Sequence, residues 1–312
     1  MATVLVTICL TACTAPADHA PPAATPTVPT TRGATATTPE PTPEPTLTPV
    51  RAWRPVRGEV HVKVKRAAVR AVEAAGTWDA DGGTPSARFQ RRFAAPGASA
   101  STVDVTYPQM GGLTATEASV MVVGVQALLD ERGHRRTKDF TVDVRLDVHP
   151  DGSATVTGIE KPVDVPDGGA LSAAARKLLR NENVTLPGAA ADDVRSGSLD
   201  DGLLRVLDGL GQEHELSVLD LHTGHPHNVF ATDRVSNHTQ GRAVDIWAID
   251  GTPVVQAPRA LLSEVMRTAG ELGATEVGGP FDYNGAGPGY FTDAVHLDHI
   301  HVGITAGRQG LG

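Results

Sequence analysis

The chain has 312 residues, 40% of them hydrophobic, which is long enough for two domains with ordinary cores. Its 36 acidic and 27 basic residues leave a net charge of −9, and aromatic residues make up only 4% of the chain. A nucleic-acid-binding protein normally carries a basic surface or aromatic side chains on which bases stack, so no nucleic-acid partner is predicted.

The first thirteen residues form an apolar run that is too short to span a bilayer. It ends in Leu10-Thr-Ala-Cys13, which resembles the lipobox of bacterial lipoproteins and implies lipidation at Cys13. The positive residues expected at the start of such a signal are missing, so an unstructured N-terminus is the alternative. If residues 1–13 are a lipoprotein-type signal, cleavage leaves a single cysteine and no disulfide can form. The protein is then expected outside the cytoplasm, held at the cell membrane by a lipid anchor and facing the cell wall.

Residues 14–57 are dominated by Pro, Thr and Ala and are predicted to be a disordered linker. Their proline content favours extended, semi-rigid conformations. Such a linker would hold the following domains away from a membrane and within a cell wall.

Residues 58–162 predict a small α+β domain. Alternating apolar and polar residues indicate strands at 60–64, 103–107 and 140–148, and the turn at 149–152 predicts a hairpin with a strand that ends at 159. The stretch 114–132 has a helical composition, with Thr114 as N-cap ahead of Glu117. The sequence shows no catalytic cluster here, so it predicts only a spacer, wall-binding or partner-binding role for this domain.

After a predicted boundary near residues 162–169, the remaining chain, residues 165–312, also reads as α+β. Helices are predicted at 171–179, 200–210 and 258–272, and strands at 215–221, 243–247 and 294–304. A glycine-rich stretch follows residues 276–283. It is expected to be a surface loop, with the lining of a substrate cleft as the alternative.

Histidines are concentrated in this second half. Eight of the twelve fall between His214 and His301, and three of those lie within six residues. Zinc binds His nitrogen and Asp oxygen, and a catalytic zinc needs three protein ligands with a fourth position open. We expect Gly241 to turn the chain so that His238 and Asp245 face inward, and strand alternation would put His299 and His301 on one side. A buried hydrogen-bond network is the alternative.

The pattern S-x-H-x-x-G-x-A-x-D that begins at Ser236 resembles that of zinc D-alanyl-D-alanine carboxypeptidases and their relatives, including vancomycin-resistance dipeptidases and phage peptidoglycan endopeptidases. The resemblance implies a Hedgehog/DD-peptidase-like zinc fold, an antiparallel sheet with flanking helices. It also implies Zn2+ as the cofactor, His238, Asp245 and His301 as its ligands, and Asp298 as the general base that activates the zinc-bound water.

A second motif, H-x-x-H-x-H from His296 to His301, resembles that of the penicillin-insensitive murein endopeptidases. The resemblance implies that His296 and His299 help to bind or polarise substrate. If protonated, His296 would stabilise an oxyanion. The resemblance marked by the two motifs extends over about the last ninety residues of the chain.

Other residues near the motifs have less specific roles. Arg234 lies four residues before His238 and could bind a substrate carboxylate in a bidentate pair, although a surface arginine is the alternative. Ser236 is a substrate-binding candidate or a brace for the turn. Three histidines in the preceding loop are expected to be solvated or to support the ligands, and not to be primary ligands: His222, His225 and His227.

Taken together, the sequence predicts a lipid-anchored zinc metallopeptidase that acts on peptidoglycan stem peptides or crosslinks, as a D-Ala carboxypeptidase or an endopeptidase. Two alternatives belong to other classes. One is a zinc-bearing cell-wall binding lipoprotein without turnover, and the other is a purely structural wall-associated lipoprotein.

Overall fold

A computed structural model describes residues 46–48, 50–79, 89–160, 168–285 and 287–311. The predicted signal at 1–13, the lipidation site Cys13 and most of the predicted linker lie outside the described residues. By their contacts, residues Glu44–Gly312 form one compact unit. No helix in the described ranges is long and apolar enough to cross a membrane.

The first part of this unit, which we call the N-terminal layer (residues 58–160), is a helix packed on a four-stranded antiparallel sheet. A short 3-10 helix, Gln90–Arg92, precedes the first strand. The strand order is that of a simple meander, β1-β2-β3-β4. The elements are α1 (Val62–Gly76), β1 (Ala98–Leu113), β2 (Glu117–Asp130), β3 (Arg135–Val148) and β4 (Ala154–Glu160).

The strands predicted at 103–107 and 140–148 and the hairpin that follows them are confirmed by β1, β3 and β4. The strand predicted at 60–64 is wrong, because α1 begins at Val62. The alternation there is short, and the chain continues into an alanine-rich stretch with apolar residues at helical spacing. Val64, Ala68 and Val72 are buried on one face of that helix. The helical spacing of apolar residues over the longer segment therefore outweighs the short alternation at its start.

The helix predicted at 114–132 is also wrong, because this segment forms β2. Seven consecutive residues from Ala118 are buried, so the strand is covered on both faces and shows no alternation. Val and Met fill this run, and β-branched residues favour strands. Thr114 does bind the nearby backbone, since its Oγ1 accepts from the N–H of Glu117 at 3.0 Å, but the bond closes the turn between β1 and β2.

The second part, which we call the C-terminal layer (residues 168–311), contains a seven-stranded sheet. Its order is β10-β9-β11-β7-β6-β5, and β8 pairs with β7. The strands are β5 (Val184–Thr185), β6 (Leu216–Asp220), β7 (Ala243–Ile249), β8 (Thr252–Pro253), β9 (Glu276–Gly278), β10 (Tyr290–Phe291) and β11 (Ile300–Gly303). The β5–β6 and β9–β10 pairs are parallel. The predicted α+β class is therefore confirmed, and the sheet is mixed instead of antiparallel throughout.

Four helices flank this sheet: α2 (Ala173–Leu178), α3 (Gly188–Ser196), α4 (Asp201–Leu210) and α5 (Arg259–Glu271). They confirm the helices predicted at 171–179, 200–210 and 258–272, whereas α3 was not predicted. The strand predicted at 294–304 begins only at Ile300. Asp293 explains the difference, because its Oδ1 accepts from the N–H groups of Val295 and His296 and holds a turn there.

The two layers share a buried contact. Tyr107 of β1 stacks on Trp247 of β7, with ring centroids 4.7 Å apart, and Met121, Val123 and Leu219 pack in the same cluster. Asp139 of β3 accepts a hydrogen bond of 2.6 Å from the first backbone N–H of α3. Most of the domain boundary predicted at residues 162–169 lies outside the described ranges, which omit residues 161–167.

Close packing between β1 and β2 generates a stability prediction. A Cβ at Gly124 would lie 2.2 Å from the carbonyl oxygen of Asp104 and 2.7 Å from the Phe140 ring. We expect Gly124→Ala to lower the free energy of unfolding by about 1–3 kcal/mol through overpacking, measured by urea denaturation. Gly158→Ala in β4 is the matched control, because the atom nearest its Cβ would be the movable Oε1 of Glu160 at 2.8 Å, and the Arg145 Cβ would lie at an ordinary 3.9 Å. Equal losses in the two variants would contradict this account.

Candidate metal centre

Two neighbouring strands bring the predicted ligands together. β7 and β11 pair in antiparallel fashion with His301 directly opposite Asp245. His238 lies in a short 3-10 helix, His238–Gln240, that ends just before β7. Gly241 ends this helix with φ of +67°, a backbone conformation that glycine adopts without strain, so the predicted turn is confirmed. The turn folds His238 back over the two strands.

The three side chains form a compact triangle of possible ligand atoms. His238 Nε2 lies 3.2 Å from His301 Nδ1 and 3.3 Å from Asp245 Oδ1, and the latter two atoms are 3.0 Å apart. Ligand atoms about 2.0–2.1 Å from a tetrahedral zinc are separated from each other by about 3.3–3.4 Å. The donor set and its spacing therefore fit Zn2+.

The outer atoms of the ligands are also engaged. His238 Nδ1 donates to the carbonyl oxygen of Leu221 at 2.6 Å, and His301 Nε2 donates to Glu276 Oε1 at 3.1 Å. Asp245 Oδ2 accepts from Gln109 Nε2 at 2.5 Å. Such partners fix the tautomer and orientation of metal-binding histidines. These outer hydrogen bonds leave His238 Nε2 and His301 Nδ1 as the ring nitrogens that face each other and could bind a metal.

Carboxylates dominate the charge of this cluster. Burial lowers the pKa of His301, but its hydrogen bonds to Asp245 and Glu276 outweigh this and raise the pKa to about 10. Burial raises the pKa of Asp220 to about 7, and its carboxylate lies 3.7 Å from His238 Nδ1. The raised pKa of His301 shows that Asp245 and Glu276 favour positive charge between them, which is the electrostatic requirement for holding a cation.

His225 lies closer to the centre than the sequence suggested. Its ring stacks on that of His238 with centroids 4.1 Å apart. His225, His238 and Asp245 each offer a ligand atom within 4.8 Å of the others, so His225 is a second candidate for the third ligand. The shorter distances within the His238–Asp245–His301 triangle favour His301.

Asp298 lies behind the centre and does not line the cleft. Its side chain has no exposed surface and carries a 2.6 Å ion pair with Lys65 Nζ. It also accepts from the N–H of Met110 at 2.9 Å and from His299 Nδ1 at 2.7 Å. Burial raises its pKa, but Lys65 and His299 outweigh this and lower it to about 2. This buried position is better suited to orienting His299 than to the predicted role of general base.

His296 and His299 both line the cleft beside the ligands. His296 Nδ1 donates to Asp293 at 2.8 Å, as His299 Nδ1 does to Asp298. Burial lowers the pKa of His296, an effect that Asp293 only partly offsets. The neutral imidazole is thus favoured, whereas the predicted oxyanion contact needs the protonated form. Because Nδ1 of His296 and of His299 is bound to a carboxylate, Nε2 is the nitrogen of each ring that can contact a substrate or water.

The centre opens into a cleft of about 590 Å3. Arg234 lines the cleft and is exposed, as its predicted role requires. Ser236 also lines it, but its Oγ accepts from the N–H of His238 at 3.3 Å, which is the predicted brace. Phe230 packs against Gly112 of β1, where a Cβ would lie 2.1 Å from the ring. The N-terminal layer therefore forms one wall of the cleft.

Sequence reasoning missed Asp220 and Asp293, which pair with His238 and His296, and three further residues of the centre. Glu276 lies in β9, the strand next to β11, and reaches His301 across that pairing. Lys65 and Gln109 come from the N-terminal layer, more than a hundred residues from the motifs. No local pattern marks these last three residues, because their proximity arises only from tertiary packing.

Comparison of the chain with family models, curated proteins and solved structures found no match. The predicted relationship to zinc peptidases therefore continues to depend on the two motifs and on the geometry described above.

The choice of third ligand can be tested directly. We expect His301→Ala to lose stoichiometric zinc after dialysis, because it removes one corner of the triangle, whereas His225→Ala should keep it. Metal content by plasma mass spectrometry is the measurement, with circular dichroism to check folding. Retention of zinc by His301→Ala together with its loss from His225→Ala would assign His225 as the ligand.

Proposed function

We propose that the protein is a zinc-dependent peptidase that hydrolyses peptidoglycan stem peptides or crosslinks. The observation that carries this proposal is the triangle of His238, Asp245 and His301 at the base of an open cleft. A bound zinc ion would polarise the scissile carbonyl and lower the pKa of water to about 7. A Hedgehog/DD-peptidase-like zinc fold for the C-terminal layer is part of the same proposal.

Two Asp–His pairs supply proton transfer. They are Asp293 with His296 and Asp298 with His299. In each pair the carboxylate accepts a hydrogen bond from Nδ1–H of the histidine, which leaves Nε2 as the atom that accepts or returns a proton. The His299 pair is the better candidate for the general base, because His299 lies next to the ligands and its Nε2 is 3.6 Å from Asp245 Oδ2. Asp298 then acts by orienting His299.

Among the described residues that line the cleft, Arg234 is the one with a permanent positive charge. Arg234 is exposed there and has a guanidinium that can pair with a carboxylate in bidentate geometry. A D-Ala carboxypeptidase would use this contact for the terminal carboxylate of a stem peptide, whereas an endopeptidase would not require it. The peptidoglycan substrate itself is proposed from the resemblance of the two motifs.

The proposed location follows from the N-terminal sequence. Lipidation at Cys13 would anchor the protein at the outer face of the cell membrane, and the linker would allow the catalytic unit to reach the cell wall. Both features agree with an enzyme that acts on peptidoglycan.

One observation favours the alternative of a zinc-bearing binding module. Asp298, the base implied by the resemblance, is buried against Lys65 and does not line the cleft. If no other group takes the proton, the centre would bind metal and a wall peptide without cleaving it.

Digestion of muropeptides separates these candidates. The full-length protein is incubated with crosslinked and uncrosslinked muropeptides, with zinc or with a chelator, and the products are identified by mass spectrometry. We expect a chelator-sensitive loss of D-alanine or opening of a crosslink, and either product identifies the bond. Intact substrates with zinc bound and muropeptide binding detected would instead support the binding module.

The role of His299 gives a sharper prediction. We expect His299→Ala to lower kcat by about 10²–10⁴-fold, the usual contribution of a general base. His214→Ala is the matched control, since His214 also pairs with a carboxylate, Asp250, but lies outside the cleft. Unchanged kcat in His299→Ala would remove it from the mechanism.

A further inference from the structure

The N-terminal layer reaches the metal centre, although the motifs lie wholly in the C-terminal layer. Three of its groups contact residues of the centre: Gln109 Nε2, the Met110 N–H and Lys65 Nζ. Each contact ends on a carboxylate, two on Asp298 and one on Asp245. This convergence distinguishes the layer from a spacer that is only attached to the enzyme.

Gln109 makes the most direct of these contacts. Its side chain is buried with 1% exposure, and Nε2 donates to Asp245 Oδ2 at 2.5 Å. The other oxygen of Asp245 is the one that faces His238 and His301. By holding Oδ2, Gln109 fixes the rotation of the carboxylate and presents Oδ1 to the metal position.

Lys65 acts on the neighbouring carboxylate. It is fully buried between Glu59 and Asp298, and its Nζ also lies 3.4 Å from the hydroxyl of Tyr107. Burial of an ammonium group is costly unless charged partners surround it, and such pairs contribute little net stability. Here the arrangement holds Asp298 at the hydrogen bond with His299.

The layer also holds the loop that carries His296. The ring Nε2 of His61, the residue before α1, lies 2.9 Å from the carbonyl oxygen of Ala294, and Val295 packs against the core of the N-terminal layer. The loop before β11 is thus fixed from the N-terminal side.

We propose that the N-terminal layer is a structural part of the metal centre, with Gln109 as a positioning residue for the metal ligand Asp245. The inference rests on the proposed metal centre but not on hydrolysis. It predicts that loss of the Gln109 donor weakens metal binding even when the fold is intact.

The experiment compares Gln109→Met with Gln126→Met in the full-length protein. Gln126 is a matched control, because it is buried in the same sheet and its Nε2 also donates to partners in the protein, Phe93 O and Ser101 Oγ, where Gln109 Nε2 donates to Asp245. Within the described residues, the Oε1 atoms of both glutamines are buried without a hydrogen-bond partner. Zinc affinity is measured by competition with a chromophoric chelator, ligand geometry by the visible spectrum of the cobalt-substituted protein, and folding by urea denaturation of the metal-free protein.

We expect Gln109→Met to weaken zinc binding by about 10- to 100-fold, the usual effect of losing a hydrogen-bond partner of a metal ligand, and to alter the cobalt spectrum. Gln126→Met should destabilise the metal-free fold to a similar extent while leaving zinc affinity and the cobalt spectrum unchanged. Equal zinc affinities and spectra in the two variants would overturn the inference.

The wild-type protein separates this inference from the proposed function. Zinc binding without muropeptide cleavage would reject the peptidase and leave the role of Gln109 supported by the affinity difference. Absence of zinc binding in the wild type would reject both.

Discussion

The register between β7 and β11 is the constraint on which the centre depends. Side chains alternate across a strand, so a slip of one residue would move His301 to the face opposite Asp245. Val244, Ile246, Ile300 and Val302 are fully buried neighbours of the two ligands in the main core of the C-terminal layer. Burial of these apolar residues fixes the register, and the register in turn fixes the distance between Asp245 and His301.

The same strand pairing explains the outer contacts. β9 lies on the other side of β11 with Gly278 opposite His301, which allows Glu276 to approach His301 Nε2. Asp245 has its second oxygen on the side of the N-terminal layer, where Gln109 donates. Asp245 and His301 are therefore oriented by different parts of the fold, and the two carboxylates Asp245 and Asp298 have partners from both layers.

How much the sequence could predict depends on the range of each interaction. The turn at Gly241, the strand that carries Asp245 and the helices that flank the sheet follow from local patterns, and the structure confirms them. The helix predicted over β2 failed because a strand buried on both faces has no alternation to distinguish it. Gln109 and Lys65 could not be identified at all, since a buried Gln in a strand and a Lys in a helix have no pattern until the layers pack.

Asp245 links the two layers geometrically, and a bound metal would link them energetically as well. One of its oxygens faces His238 and His301, where the metal is proposed, and the other accepts from Gln109, so both interactions would act on a single carboxylate. If the bond from Gln109 strengthens metal binding, thermodynamic reciprocity requires bound metal to strengthen the contact between the layers by the same free energy. A metal centre built in this way would stabilise the packing of the N-terminal layer, and it would do so whether or not the centre hydrolyses its ligand.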